Sequence, residues 1–203
     1  MSTEDCIQGI IAIEWEMFDL VENEGGRASC QNDYRTFAIM RSSQYRCWNE
    51  MMLASYYEDL KQAKAAGRNL LSEKYARMMA STHPDEYQKI KEQLPEITAD
   101  TWEKIEKITQ ANVEWKREME SKYPKLAGHG RPLTSAEDTP WATSFETYMR
   151  GETATYSART IELYAEYVEQ CQREGINLAE RNLEEMTEQY GYQSLEQAEN
   201  ALQ

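Results

Sequence analysis

Glycine, proline and valine are scarce in this sequence. Its 203 residues include 9 Gly and 5 Pro, and valine occurs at only three positions, Val21, Val113 and Val168. Strands favour β-branched residues, and the turns between strands use Gly and Pro. This composition leaves little material for a sheet, so we expect an all-α fold.

Basic charge and long apolar runs are also lacking. The chain has 22 Lys and Arg against 36 Asp and Glu, a net charge of −14, which repels nucleic acid. No apolar run approaches the roughly 20 residues that span a bilayer, and Met1–Asp5 is acidic where a signal peptide is basic. We expect a cytoplasmic protein with neither a nucleic-acid nor a membrane partner.

Metal-binding and disulfide patterns are missing as well. The four cysteines and two histidines stand far apart, at Cys6, Cys30, Cys47, Cys171, His83 and His129. They form no CxxC pair and no cluster with metal-ligand spacing. Neither histidine completes the Glu-x-x-His pattern of di-iron bundles. We therefore expect no disulfide framework, no metal site and no cofactor.

Aromatic and sulfur-containing side chains are abundant. The 13 Tyr, 5 Trp and 10 Met supply core anchors despite a mean hydropathy of −0.82, and the length suits one domain of roughly 100–200 residues. Helical periodicity, caps and breakers predict a single-domain helical bundle over residues 1–203, with about seven or eight helices, three of them long.

The predicted helices follow the apolar stripes between breakers. Their approximate ranges are 4–22, 32–66, 70–81, a short helix from Pro84, 99–122, 140–174 with a kink at Gly151, 178–189 and 195–202. Residues 125–139 contain the run Gly-His-Gly-Arg-Pro. Such a segment is too rich in helix breakers to be helical, and we expect a long loop that covers a pocket.

Several polar residues fall inside the apolar stripes when residues are placed at about 100° intervals. They are Glu14, Arg41, Glu152, Arg159 and the uncharged Asn112. A buried charge must be paired or neutralised, and the two acids balance the two bases. One interpretation is a structural ion-pair network that joins three helices. The other is the lining of an internal pocket.

The pocket interpretation assigns a role to each residue. Arg41 and Arg159 would hold a carboxylate or phosphate, and Glu14 or Glu152 would accept an amine or move a proton. The candidate catalytic residues are Glu14, Glu152 and Tyr148. The candidate ligand-binding residues are Arg27, Arg41, Trp48, Asn112, Tyr156 and Arg159.

The loop 24–33 is a second candidate site. Gly25 and Gly26 allow close backbone approach, and with Arg27 they precede a helix N-terminus that favours an anion; the alternative is a plain turn. Cys30 stands beside this helix start, which favours a reactive thiolate, although most single cysteines are inert. His129 is a better candidate than His83 for a functional histidine.

Two functions from different classes follow. The first is binding of a small carboxylate or amino-acid-like molecule in the pocket, with acid–base chemistry on it. The second is a non-enzymatic module that presents an acidic helical face to a protein partner. A direct Glu14–Arg41 contact with no cavity beside it would favour the second.

Two blocks of the sequence carry a family resemblance. GGRASCQNDYRTFAIMRSSQ at residues 25–44 and TSFETYMRGE at residues 143–152 resemble an uncharacterised bacterial family, domain of unknown function 4125, over almost the whole chain. The resemblance implies a bacterial origin and no particular activity. Members of this family also resemble the helical half of fusions with a nucleotidyltransferase-like domain, which implies an adjunct role beside such a partner. This chain has no nucleotidyltransferase motif.

Overall fold

The computed structural model describes residues 2–22, 26–128 and 130–202. In these residues it contains eleven α-helices, joined by three single turns of 3-10 helix, and one isolated bridge in place of any strand. The helices are α1 (Thr3–Asp19), α2 (Tyr34–Arg46), α3 (Glu50–Ala65), α4 (Leu70–Thr82), α5 (Pro84–Ile90), α6 (Ala99–Lys122), α7 (Pro124–Gly128), α8 (Phe145–Thr153), α9 (Ala158–Glu174), α10 (Leu178–Gln189) and α11 (Leu195–Ala201). The all-α class is confirmed, and the expected number of seven or eight helices is wrong.

The predicted helix 32–66 is two helices. The chain leaves α2 at Cys47 and restarts at Asn49, whose side chain accepts a hydrogen bond of 2.9 Å from the backbone N–H of Met52. This is an N-cap, which satisfies a donor that a helix start leaves open. The prediction failed here because the apolar stripe continues in phase on both sides of the break.

The predicted helix 140–174 is also two helices. The break lies after Thr153, and Ser157 caps α9 by accepting from the backbone N–H of Thr160. Residues 140–144, at the start of the predicted helix, are not helical, and Trp141 among them is 93% exposed. Only the C-terminal end of the predicted helix, at Glu174, agrees with the structure.

The segment 125–139 is not one long loop. Its first residues belong to α7, and the rest is tied to the helices by Asp138. The Asp138 carboxylate accepts from the backbone N–H of Ser144 at 2.6 Å and from the hydroxyls of Thr147 and Ser81 at 2.5 Å each. This part of the chain is therefore fixed against α4 and α8.

Two groups of helices build the core. α1 packs on α2, α3 and α4, while α6 packs on α8, α9 and α10, and the pairs α3–α9, α4–α8 and α2–α10 join the groups. The side chains with the least exposure include Ile7, Ile10, Tyr45, Met52, Tyr56, Leu60, Ile105, Ile108 and Ile161. No helix in the described residues has the length and apolar character needed to cross a membrane.

Candidate functional site

Four charged side chains are buried where α1, α2, α4 and α8 meet. They are Glu14 on α1, Arg41 on α2, Lys74 on α4 and Glu152 on α8. Each lies among apolar residues on the inner face of its helix, so its position along the helix is enough to direct its side chain inward. The two acids and two bases balance in sign.

Arg41 joins both acids. Its Nε donates to Glu14 Oε2 at 2.8 Å and its Nη2 to Glu14 Oε1 at 2.5 Å, while its Nη1 donates to Glu152 at 3.1 Å and to Gln44 Oε1 at 2.9 Å. The remaining Nη2–H donates to the hydroxyl of Tyr45. All five N–H donors of this guanidinium are used inside the protein.

Glu14 is 0% exposed and is enclosed by donors. Besides Arg41, the hydroxyls of Tyr45 and Tyr56 donate to its Oε1 at 2.6 and 2.7 Å. The two tyrosine rings pack 5.8 Å apart against Trp48, and this aromatic wall separates the carboxylate from solvent.

Glu152 is held in the same way. Its carboxylate accepts from Arg41, from Gln44 Nε2 at 3.0 Å, from Lys74 Nζ at 3.1 Å and from the hydroxyl of Tyr156 at 3.1 Å. Burial by itself would raise the pKa of Glu152, but Arg41 and Lys74 hold it well below its usual range. This carboxylate stays ionised.

Lys74 is 4% exposed and remains charged. Burial alone would lower the pKa of Lys74, but Tyr148 and Glu152 raise it above its ordinary value. Its Nζ donates to the Tyr148 hydroxyl at 2.8 Å and to Glu152, and it lies 4.3 Å from the centre of the Tyr148 ring. An ammonium has three N–H donors, so one donor has no hydrogen-bond partner among the described residues.

A cavity of about 580 Å³ lies beside this network. Its wall is mainly apolar. The described polar side chains on it are those of Asp33, Thr36, Arg41, Gln44, Lys74, Tyr75, Asn112, Lys116, Arg131, Tyr148, Glu152, Tyr164 and Asn182. The largest apolar side chains on the wall are Phe18, Phe37, Met40, Trp48, Leu71, Met119, Phe145, Met149, Leu178, Leu183 and Met186. Charged and apolar groups therefore face one shared space.

The structure brings most of the predicted site residues together. Glu14, Arg41, Glu152 and Tyr156 are hydrogen-bonded in one network, and Tyr148 joins it through Lys74. Trp48 and Asn112 border the cavity. Their functional roles stay predictions. The contact between Glu14 and Arg41 is direct, but it has a cavity beside it, so it does not meet the condition set for the interaction module.

The prediction that Arg159 points inward is wrong. Arg159 is exposed in the first turn of α9. The break between α8 and α9 resets the helix phase, so a face extrapolated from Glu152 no longer holds seven residues later. The second basic residue of the network is Lys74 on α4, and not Arg159.

The structure describes only part of the glycine-rich loop before α2. Asn23–Gly25 and His129 lie outside the described residues. The Arg27 side chain contacts Asp19, Asn32 and the carbonyl of Gln31, and it does not line the cavity. An anion there would have to compete with these contacts. Cys30 is exposed in a 3-10 turn at the edge of the cavity.

Lys74 is the functional candidate that the sequence reasoning missed. It stands three residues after Leu71 and four before Met78, both buried on α4. This is the same signal that singled out Glu14 and Arg41. Arg131, which borders the cavity from the segment after α7, carries no such periodic signal because it is not in a helix.

Comparisons with known proteins give a family and no activity. A family described as "Protein of unknown function (DUF4125)" matches residues 4–200. No curated protein and no solved structure matches the chain. Within the described residues, no group of three or more His, Cys, Asp or Glu side chains is arranged to hold a metal ion.

Proposed function

The chain belongs to the DUF4125 family, and we propose that its central cavity binds a small, largely apolar molecule that carries one acidic group. The observation that carries this proposal is the ammonium of Lys74. It is buried, charged and at the cavity wall, and one of its N–H donors has no partner among the described residues. A buried donor normally has an acceptor, and an acidic group of a ligand in the cavity can supply it.

The charge of the wall supports an anionic ligand. In a chain of net charge −14, the described residues that border the cavity include four cations, Arg41, Lys74, Lys116 and Arg131, and two acids, Asp33 and Glu152. Arg41 and Lys116 are already paired with Glu14 and Glu120, so Lys74 and Arg131 are the cations that can attract an anion in this low-dielectric cleft.

Arg131 and Lys74 flank the same aromatic ring. The guanidinium of Arg131 lies 4.8 Å from the centre of the Tyr148 ring, and the Lys74 ammonium lies 4.3 Å from it. Arg131 makes a single hydrogen bond, to the carbonyl of Thr143, and no carboxylate partner is found for it in the described part of the chain. These two cations form the place where an acidic group would be held.

The wall offers little to an amine. Asp33 accepts from the backbone N–H of Thr36 as the N-cap of α2, and Glu152 already accepts from four side chains. The carboxylate half of the predicted carboxylate or amino-acid-like ligand is therefore better supported than the amino half.

The same contacts favour binding over acid–base catalysis. A general base needs a lone pair within reach of the substrate and a pKa near the working pH. The pKa of Glu152 is far below this range because Arg41 and Lys74, against the effect of burial, stabilise its ionised form. Glu14 does not border the cavity.

The size and lining of the cavity support a small organic ligand. Small-molecule sites usually measure about 300–1,000 Å³ and are mainly apolar with a few polar groups. Four unbranched side chains, Met40, Met119, Met149 and Met186, line the wall and can adjust to an apolar body.

Isothermal titration calorimetry with decanoate and 1-decanol tests the proposal. We expect the acid to bind about 10-fold tighter or more than the alcohol, because a charge-assisted hydrogen bond contributes roughly 1.5–3 kcal/mol. Lys74→Met and Arg131→Met should each reduce this preference. Arg159→Met, which removes an exposed cation away from the cavity, should leave it unchanged.

Two outcomes would contradict the proposal. One is the absence of binding by either probe. The other is an acid preference that survives in both cavity variants. Arg131 is exposed, so its substitution should leave folding intact and keep the test valid even if Lys74→Met unfolds the chain.

A contact with a protein partner is the second candidate function. Trp141 is 93% exposed at a turn that the Thr139–Ala142 bridge closes, and an exposed indole is typical of binding hot spots. Recovery of the native complex with wild type but not with Trp141→Ala would support the adjunct role. Equal recovery, or recovery of the free chain alone from both, would count against it.

A further inference from the structure

Two buried polar side chains border the cavity on α6 and α9. Asn112 is 8% exposed and Tyr164 is 3% exposed, and both line the cavity wall. They belong to different helices from Lys74 and Glu152, which are on α4 and α8. The cavity therefore has an uncharged polar pair apart from Lys74; the cation that borders the cavity from α6, Lys116, is already paired with Glu120 at 2.7 Å.

Asn112 is incompletely hydrogen-bonded. Its Nδ2 donates to the carbonyl of Ile108 at 2.8 Å, one turn earlier in α6. Its Oδ1 accepts only from the Tyr164 hydroxyl, at 3.5 Å, among the described residues. Hydroxyl hydrogen bonds are usually 2.5–3.0 Å long, so this one is weak. One N–H of the amide and most of the acceptor capacity of Oδ1 are unused.

The Tyr164 hydroxyl is also incompletely hydrogen-bonded. The long bond to Asn112 is its one hydrogen bond within the described residues. Burial raises the pKa of Tyr164, so the group stays a neutral donor and acceptor. Its ring packs 5.5 Å from that of Trp48, which also lines the cavity, and this packing fixes the position of the hydroxyl.

Buried polar groups are normally satisfied, and those that are not need an explanation. A ligand hydroxyl or carbonyl oxygen near both groups could accept from Asn112 Nδ2 or the Tyr164 hydroxyl, and a hydroxyl could also donate to Asn112 Oδ1. The Asn112 amide carries no charge, and burial keeps the Tyr164 phenol neutral by raising its pKa, so an uncharged partner matches the pair better than an ion does.

We propose that Asn112 and Tyr164 form a second subsite, which binds an uncharged hydroxyl or carbonyl group of the ligand. This inference rests on the proposed function, because it assumes that an acidic ligand occupies the cavity. It narrows the ligand class to apolar acids that carry a hydroxyl or keto group on the apolar part, away from the acid.

A positional series of ligands tests the subsite. Decanoate is compared by calorimetry with hydroxydecanoates that carry the hydroxyl at each carbon from 4 to 10. In the wild type, we expect one or two neighbouring isomers to bind about 5- to 10-fold tighter than decanoate, the size of one net neutral hydrogen bond. The other isomers should bind more weakly than decanoate, because their hydroxyls would be buried among apolar groups.

Two variants connect the gain to the pair. Asn112→Leu should abolish the advantage of the favoured isomer over decanoate, and Tyr164→Phe should reduce it, each affinity being compared with that of decanoate in the same variant. Gln110→Leu, an exposed position on the same helix, is the matched control and should keep the full advantage.

The outcomes separate the subsite from the proposed function. If decanoate binds and no isomer binds tighter, or if the advantage survives in both variants, the subsite is wrong and the proposed function stands. If no acid of the series binds, both are wrong. Tyr164→Phe removes a single oxygen, so it decides the question even if Asn112→Leu does not fold.

Discussion

The buried polar centre has two ends that differ in how their hydrogen bonds are satisfied. At the closed end, Glu14, Arg41, Tyr45 and Tyr56 satisfy one another, and only Arg41 borders the cavity. At the open end, Lys74 faces the cavity with one N–H donor that no described residue accepts, and Asn112 also lines this wall. Under the proposed function, incomplete hydrogen bonding distinguishes the end that binds a ligand from the end that holds the helices together, and burial of charge alone does not.

The closed end explains how the helices are held in register. Buried ion pairs cost desolvation and are a weak source of net stability, but removing one partner is strongly destabilising because the other charge is left alone. Arg41 on α2 bridges Glu14 on α1 and Glu152 on α8. A shift of any of these helices would break several charge-assisted bonds at once.

The largest expected effect comes from breaking the closed end. Arg41→Met leaves two buried carboxylates without their shared cation, and we expect a loss of at least about 3–5 kcal/mol in the free energy of unfolding. Urea denaturation measures it. Arg159→Met makes the same substitution at an exposed site and should change stability by no more than about 0.5 kcal/mol.

A small loss of stability in Arg41→Met would contradict the description of the closed end. If Arg41→Met lost less than about 1 kcal/mol, the charges at the closed end would not be held as the hydrogen bonds indicate, and the distinction between the two ends would fail.

A smaller effect is expected where the two ends are joined. Gly151 is in α8, where this helix packs against α4. A Cβ at this position would stand 2.9 Å from Met78 Cγ and 3.1 Å from the carbonyl oxygen of Lys74. Gly151→Ala should push α8, with Glu152, away from α4, with Lys74. Overpacking costs typically about 1–3 kcal/mol, which exceeds the roughly 0.5–1 kcal/mol that Ala gains over Gly in a helix. We expect net destabilisation in urea and weaker decanoate binding.

Gly128 is the matched control for that substitution. It ends α7, and a Cβ there would meet no atom within 4 Å. Gly128→Ala should therefore be neutral or slightly stabilising. Equal behaviour of the two variants would show that the close packing of α8 on α4 does not couple the ends.

The fold class was predictable from the sequence, and so were the helices with caps or breakers at both ends. α6 and α10 have the predicted boundaries. The breaks at Asn49 and Ser157 were missed although both residues are good N-caps. Apolar residues recur on both sides of each break, so their spacing predicts one continuous helix, even where the helix phase changes between α8 and α9. α7 was missed because its five residues are too few to show a period.

The inward position of Glu14, Arg41 and Glu152 was predictable because each lies within a regular helix. The prediction for Arg159 failed because the helical periodicity around Glu152 was extrapolated across the break between α8 and α9. The pairing of these residues was not predictable, because it depends on which helices become neighbours. The unused hydrogen-bond capacity of Lys74 and Asn112 depends on atomic distances, which a periodic pattern does not contain.

The smallest expected effect concerns the mouth of the open end. Cys30 is exposed at the edge of the cavity, whereas Cys6, Cys47 and Cys171 are buried. Burial raises the pKa of Cys47 to about 12, so almost none of it is thiolate at pH 8, and the thiolate is the reactive form. Iodoacetamide at pH 8 should therefore modify Cys30 first, as intact-mass and peptide mass spectrometry can measure.

Since the mouth of the cavity is next to this thiol, saturating decanoate should slow its modification by about 2-fold, while unfolding in urea should make all four thiols react alike. Labelling of Cys47 as fast as Cys30 in the native protein would mean that the cavity opens far more widely than its packing indicates, and the contrast between a closed and an open end would then be lost.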